Sequence, residues 1–107
     1  MAEFKQFLSA LREPVSAVEI KDGTGMVGTV GDVHTVVLRT GGALHALTAI
    51  CTHQRCVVVF KSETTSLDCP CHGSRFKVDG SVLRGPAESP LASYPVEERD
   101  GFVWVKR

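Results

Sequence analysis

Two short segments hold the chemistry of this sequence: Cys51-Thr52-His53-Gln54-Arg55-Cys56 and Cys69-Pro70-Cys71-His72-Gly73-Ser74. All four cysteines lie in them, with two of the four histidines. Thiols and imidazoles gathered this closely serve few purposes. One is a disulfide framework, in which four cysteines allow three pairings and the histidines have no part. A second is structural zinc, held by thiolate or imidazole ligands in a tetrahedron. Zinc ligands usually come as matched pairs about two to four residues apart. Here Cys51 and His53 are separated by a single residue, and the second segment reads Cys-x-Cys-His. The third is an iron–sulfur cluster with mixed ligands, thiolates on one iron and imidazoles on the other. Such a centre needs one cysteine and one histidine from each of two loops. Cys51-x-His53 and Cys69-x-x-His72 supply them, with fifteen residues between His53 and Cys69.

The two segments resemble the cluster-binding loops of Rieske iron–sulfur proteins. They are most similar to the branch found in cytochrome bc and bf complexes, whose loops read C-T-H-x-x-C and C-P-C-H-G-S. The resemblance implies a [2Fe–2S] cluster as cofactor, one per chain. Carried over residue by residue, Cys51 and Cys69 bind the buried iron, and His53 and His72 bind the outer one. Cys56 and Cys71 resemble the pair that forms a disulfide tying the loops together. Rieske proteins that feed ring-hydroxylating oxygenases normally lack that pair. Gly85-Pro86-Ala87 with Pro90-Leu91 looks like the third, proline-containing loop of the family, so Pro86 is expected to shield the cluster. The likeness is specific at the two loops and extends over about residues 33–107, while residues 1–32 match weakly.

Ligand identity has electronic consequences. Neutral imidazole in place of thiolate removes negative charge and lifts the potential to a range of roughly −150 to +300 mV. Ser74 stands where the family places a hydroxyl aimed at a bridging sulfide. Two positions on, high-potential members have a tyrosine that donates to a cysteine sulfur; here the residue is Phe76, which has no donor. The expected potential therefore lies below the respiratory members and above the oxygenase ferredoxins. Gln54 and Arg55 replace the leucine and glycine that quinol-oxidising members carry after the first histidine, a polar tip better suited to a protein partner than to a quinone. Oxidised iron makes the outer imidazole N–H easier to lose, so the potential is expected to fall at alkaline pH.

The elements that position these loops are short. Phe4, Phe7, Leu8 and Leu11 fall at i, i+3, i+4 and i+7 and predict a helix of about two turns ended by Pro14. Val18 and Ile20 alternate with Glu19 and Lys21, and Gly23, Gly25 and Gly28 predict turns. Residues 33–39 and 43–49 read as a hairpin about Gly41-Gly42. Residues 57–60 and 65–67 read as another, joined by the polar stretch 61–64. Asp100-Gly101 is a strong hairpin signal before a closing strand over 102–105, with Phe102 and Trp104 expected on opposite sides of it. His34 and His45 fall on strands with no ligand partner nearby and are expected to be part-buried or surface histidines. This pattern argues for an all-β sandwich or barrel. The resemblance narrows it to a Rieske-type antiparallel β-sandwich with a smaller cluster-binding subdomain formed by the two loops. The expected organisation is a single domain over residues 1–107, with the cluster-binding part at about 50–90.

Composition bounds the partners. The chain has 107 residues, 43% of them hydrophobic, enough for one core. Twelve basic and twelve acidic residues balance without a basic block, so no nucleic acid is expected. The longest apolar run is residues 57–60, and residues 1–13 contain no apolar leader core. These features predict a soluble, cytoplasmic monomer without membrane insertion. The expected function is one-electron transfer as a ferredoxin-like carrier between a donor reductase and an acceptor, with no catalytic residues of its own. The alternative is an electron-transfer subunit of a quinol-oxidising or other oxidoreductase complex, which a membrane anchor or quinone-site inhibitor binding would favour. Arg75 and Arg84 read as a solvated rim able to help dock an acidic partner. A colourless zinc-binding interaction domain is the third reading.

Overall fold

Two-residue turns set the register of two of the hairpins. Gly41 and Gly42 take φ of 57° and 82°, which places Thr40 opposite Ala43. Asp100 and Gly101, at 53° and 83°, place Arg99 opposite Phe102. Such turns need positive φ at both central residues, which glycine adopts without strain. In the computed structural model, which describes residues 3–53 and 55–107, the chain begins with β1 (Phe4–Gln6) and a 3-10 turn at Ala17–Glu19. Three longer strands follow: β2 (Gly25–Val30), β3 (Val33–Thr40) and β4 (Ala43–Thr48). Four short ones come next, β5 (Val59–Lys61), β6 (Ser66–Asp68), β7 (Arg75–Lys77) and β8 (Val82–Arg84). The chain closes with β9 (Ser93–Tyr94), β10 (Val96–Arg99) and β11 (Phe102–Lys106).

These strands make three antiparallel sheets, ordered β1-β11-β10, β2-β3-β4-β9 and β5-β6-β7-β8. The second sheet is the middle layer. Val36 and Leu38 of β3 enter one core with Leu67 and Phe76, whereas Val37 enters the other with Phe7, Val103 and Val105. Leu47 and Ala46 of β4 divide in the same way. Because both faces of β3 are covered, Thr35–Leu38 is buried without polar alternation. The expected all-β antiparallel architecture is present. The sheet of four short strands carries the two cysteine- and histidine-bearing loops.

Four local expectations are corrected. Residues 4–11 are not helical: β1 pairs with β11, Phe4 opposite Lys106, and Phe7 is buried with its N–H on the Val103 carbonyl at 2.9 Å. Leu11, expected on the apolar face, is 80% exposed. A two-turn helix is marginal in water, and a sheet edge offered the same backbone fixed partners. Val18 and Ile20 do not share a side; Val18 is 78% exposed and Ile20 is buried. The 3-10 turn between them is tightened by the Ser16 N–H donating to the Glu19 carboxylate at 2.8 Å. Phe102 and Trp104 share the outer face of β11, since residues two apart on a strand point the same way, and Val103 and Val105 face the core.

Gly25 and Gly28 lie inside β2 rather than in turns. Their missing side chains admit neighbours: the Phe60 ring over Gly25, and the Leu8 carbonyl and Phe7 ring over Gly28. Gly28→Ala is expected to destabilise the protein by about 1–3 kcal/mol, because the new methyl would press on rigid Leu8 backbone. A denaturant midpoint equal to that of the parent would contradict this.

Candidate metal centre

Both loops are closed by the same backbone device. The first leaves the middle sheet after β4, and the bridge between Ile50 and Val57 draws its ends together. Inside it, the Cys51 N–H donates to the Cys56 carbonyl at 2.8 Å. The second joins β6 to β7, where the Cys69 N–H donates to the Ser74 carbonyl at 2.8 Å. Each loop thus sets its first cysteine at the base, toward the core, and its histidine farther out. Cys51 and Cys69 are each 3% exposed and belong to the core that holds Leu67 and Phe76. His53 and His72 are exposed, with ring centroids 5.4 Å apart and edge to face.

Cys56 and Cys71 form a disulfide with Cα atoms 6.5 Å apart, joining the two loops. The sulfurs of Cys56, Cys69 and Cys71 lie within 4.8 Å of one another. Two of the three are spent in the disulfide, so of that trio Cys69 alone offers a thiolate. The Cys51 thiol lies within hydrogen-bond reach of Cys69. Burial pushes the Cys69 thiol above its ordinary value, as the Cys51 thiol also does, while backbone N–H groups of Cys71 and His72 pull it down. N–H groups that favour a thiolate also favour a metal-bound sulfur.

The third loop is pinned to both others. The Thr52 hydroxyl donates to the Ser89 carbonyl at 2.7 Å, and the Ala87 N–H donates to the Ser74 hydroxyl oxygen at 3.0 Å. Ser74 and Ala87 are buried, whereas Pro86, expected as the shield, is exposed and follows a cis peptide bond. The contact to the second loop is made by the residue after it. Thr52 was missed in the sequence, although a hydroxyl between Cys51 and His53 in so short a loop has few places to point other than a neighbouring segment. Phe76 is fully buried on β7 beneath the loops. Gln54 lies outside the described residues, and Arg55 is exposed. His34 and His45 are exposed on β3 and β4, as surface histidines.

Ser74→Ala would leave the buried Ala87 N–H without its acceptor. The expected cost is about 1–3 kcal/mol, with a lower potential because the hydroxyl also leaves the site. Unchanged melting and potential together would show that Ser74 has neither role.

Two buried cysteines with two exposed imidazoles have the donor chemistry that a mixed-ligand two-iron cluster requires.

Known proteins agree with this chemistry. A family model described as Rieske [2Fe-2S] domain matches residues 13–95. The chain is 37% identical over 89 residues to the cytochrome b6-f complex iron-sulfur subunit of Chlorobaculum tepidum, covering 83% of this chain and 49% of that protein. It thus spans about half the length of the curated relatives it matches. Among solved structures, the cyanobacterial plasma membrane Rieske protein PetC3 from Synechocystis PCC 6803 superposes with a TM-score of 0.76 at 29% identity, over 86% of this chain and 95% of that one. The ferredoxin of carbazole 1,9a-dioxygenase from Nocardioides aromaticivorans IC177 gives 0.71 at 25% identity, over 87% and 93%. No described helix is long and apolar enough to cross a membrane. With the loops, their disulfide and the family match all pointing one way, the chain belongs to the Rieske family, as an electron-transfer domain that binds a [2Fe–2S] cluster.

Proposed function

We propose that this domain, held in one unit over residues 1–107, passes single electrons between protein partners. A reductase is the donor and a second redox protein the acceptor. Cys51 and Cys69 hold the inner iron, and His53 and His72 hold the outer one. One observation carries the reading: the two imidazoles stand exposed and edge to face over two buried cysteines. The cluster supplies a one-electron couple; the chain buries its sulfur side and presents its histidine edge to whatever docks there. In this reading every thiol and imidazole of the two loops is taken up by the cluster or the disulfide, so a carrier without catalysis of its own is favoured. The exposed Arg55, two residues after His53 in sequence, suits a protein surface. The same reading has the domain acting as a monomer in the cytoplasm, which gel filtration and fractionation of the host cell would overturn by finding an assembly or a membrane-bound pool.

A second reading has specific support. The curated relatives named are cytochrome b6-f complex iron-sulfur subunits, so the domain can be the redox head of an oxidoreductase complex. Redox titration followed by electron paramagnetic resonance separates the two. A potential near zero supports the carrier, and a clearly positive one supports the complex subunit. In either case the potential is expected to fall as pH rises into the alkaline range. Oxidised iron weakens the hold of a bound imidazole on its remaining proton, so deprotonation stabilises the oxidised form. A potential flat through alkaline pH would count against histidine ligation.

A further inference from the structure

The sheet that bears the metal-site loops has two unlike faces. Its inner face packs Leu67 and Phe76 into the core. Its outer face can be followed through the strand register. Lys61 lies opposite Ser66, Ser66 opposite Lys77, Asp68 opposite Val59 and Arg75, and Arg75 opposite Arg84. Residues directly opposite in an antiparallel pair point to one side. Four cations and one carboxylate therefore share this face in a chain whose formal net charge is zero. The carboxylate is already engaged, since Asp68 lies 3.3 Å from the Arg75 Nε and accepts the Ser66 hydroxyl. Lys61, Lys77 and Arg84 are exposed. A groove across the face is lined by Lys61, Arg75 and Arg84 with Asp68, and by Val59 and Pro70 as its apolar part. Val59 is 40% exposed there.

Resting on the carrier reading, we propose that this face is the docking surface for a redox protein that presents a carboxylate-rich patch. The groove combines an apolar part with three cations and the already paired Asp68, a composition suited to a transient, charge-steered protein interface. Opposite charge over such a patch speeds encounter without adding much lasting affinity, which suits a carrier that must release its partner after each electron. A lipid surface or nucleic acid fits less well. Both are extended polyanions that need a long cationic track, whereas this face offers four cations, one of them already paired with Asp68, around a small groove.

The test uses the reduced holoprotein. It is oxidised by ferricyanide, which accepts one electron to become ferrocyanide, and in parallel by a cationic cobalt(III) complex that accepts one electron to become cobalt(II). The face predicts that the ferricyanide rate falls with added salt and the cobalt rate rises. Lys61→Glu with Arg84→Glu is expected to slow ferricyanide about tenfold at low salt, with potential and resonance signal unchanged. The neutral Lys61→Gln and Arg84→Gln variants give a smaller fall should the reversed pair fold poorly, and Lys106→Glu, on β11 in the sheet beyond the middle layer, gives none. Nuclear magnetic resonance with a polyglutamate peptide should shift residues of β5–β8. Rates indifferent to these substitutions would overturn the docking face, as would phosphatidylserine vesicles or duplex DNA perturbing it while polyglutamate does not. Absence of any one-electron signal from the parent would instead overturn the carrier reading.

Discussion

Cys69→Ala is expected to yield a folded protein with no cluster. Its visible absorbance and paramagnetic signal should vanish and its iron content should fall to background. The side chain is 3% exposed at the base of its loop, so no solvent ligand can take its place without opening the core. Cys71, the nearest substitute in sequence, is locked to Cys56. Bridging sulfurs cannot serve as thiolates without breaking that bond. The loop itself should survive, because its closure uses the Cys69 N–H and the Ser74 carbonyl rather than the thiol. Losing even an outer-shell contact commonly weakens metal affinity about 10–100-fold, and losing a ligand from a buried pair should exceed that. Cys51→Ala should behave alike. Two irons retained in either variant, with an unchanged signal, would mean that the ligand set has been misassigned.

The double variant Cys56→Ser, Cys71→Ser should keep all four proposed ligands and lose stability. The disulfide spans a sequence separation of 15 residues. Closing a loop of that size restricts the unfolded chain by about 3 kcal/mol on the loop-entropy model. For a domain of this length that is a fall in melting temperature of roughly 10–20 °C. Cys56 is half-buried and Cys71 exposed, so replacement adds little desolvation penalty. The mechanical effect should be larger than the thermal one suggests. Thr52 and Ser74 tie these loops to the third loop, whereas the disulfide joins their outer parts directly to each other. Without the clamp the two histidine-bearing tips can separate, and the cluster should be lost faster at a fixed temperature. Equal melting temperatures and equal rates of cluster loss would show that the metal alone holds the loops together.

What the sequence determined by itself was local. Metal-site chemistry resides in residue types at fixed spacing within six-residue loops, so Cys51, His53, Cys69 and His72 could be singled out without any long-range information. The pairing of Cys56 with Cys71 followed from resemblance, and the structure contains it. Hairpins at Gly41-Gly42 and Asp100-Gly101 were legible because positive φ is a property of the turn residues themselves. The tertiary structure decided whatever depended on a partner distant in sequence. Phe4, Phe7, Leu8 and Leu11 have a helical apolar spacing, yet the backbone of residues 4–6 pairs with β11 at the other end of the chain. Gly28 reads as a turn residue until the Leu8 backbone is laid across it. Pro86 stands out by type, but the bond that fastens its loop comes from Ala87, whose N–H finds a hydroxyl thirteen residues back. The cationic face is invisible in a balanced composition, because only strand register brings Lys61, Lys77 and Arg84 to one side of a sheet and leaves Glu98 and Asp100 on another layer. Ligand type is written residue by residue; backbone pairing and surface field are sums over neighbours that the chain acquires only on folding.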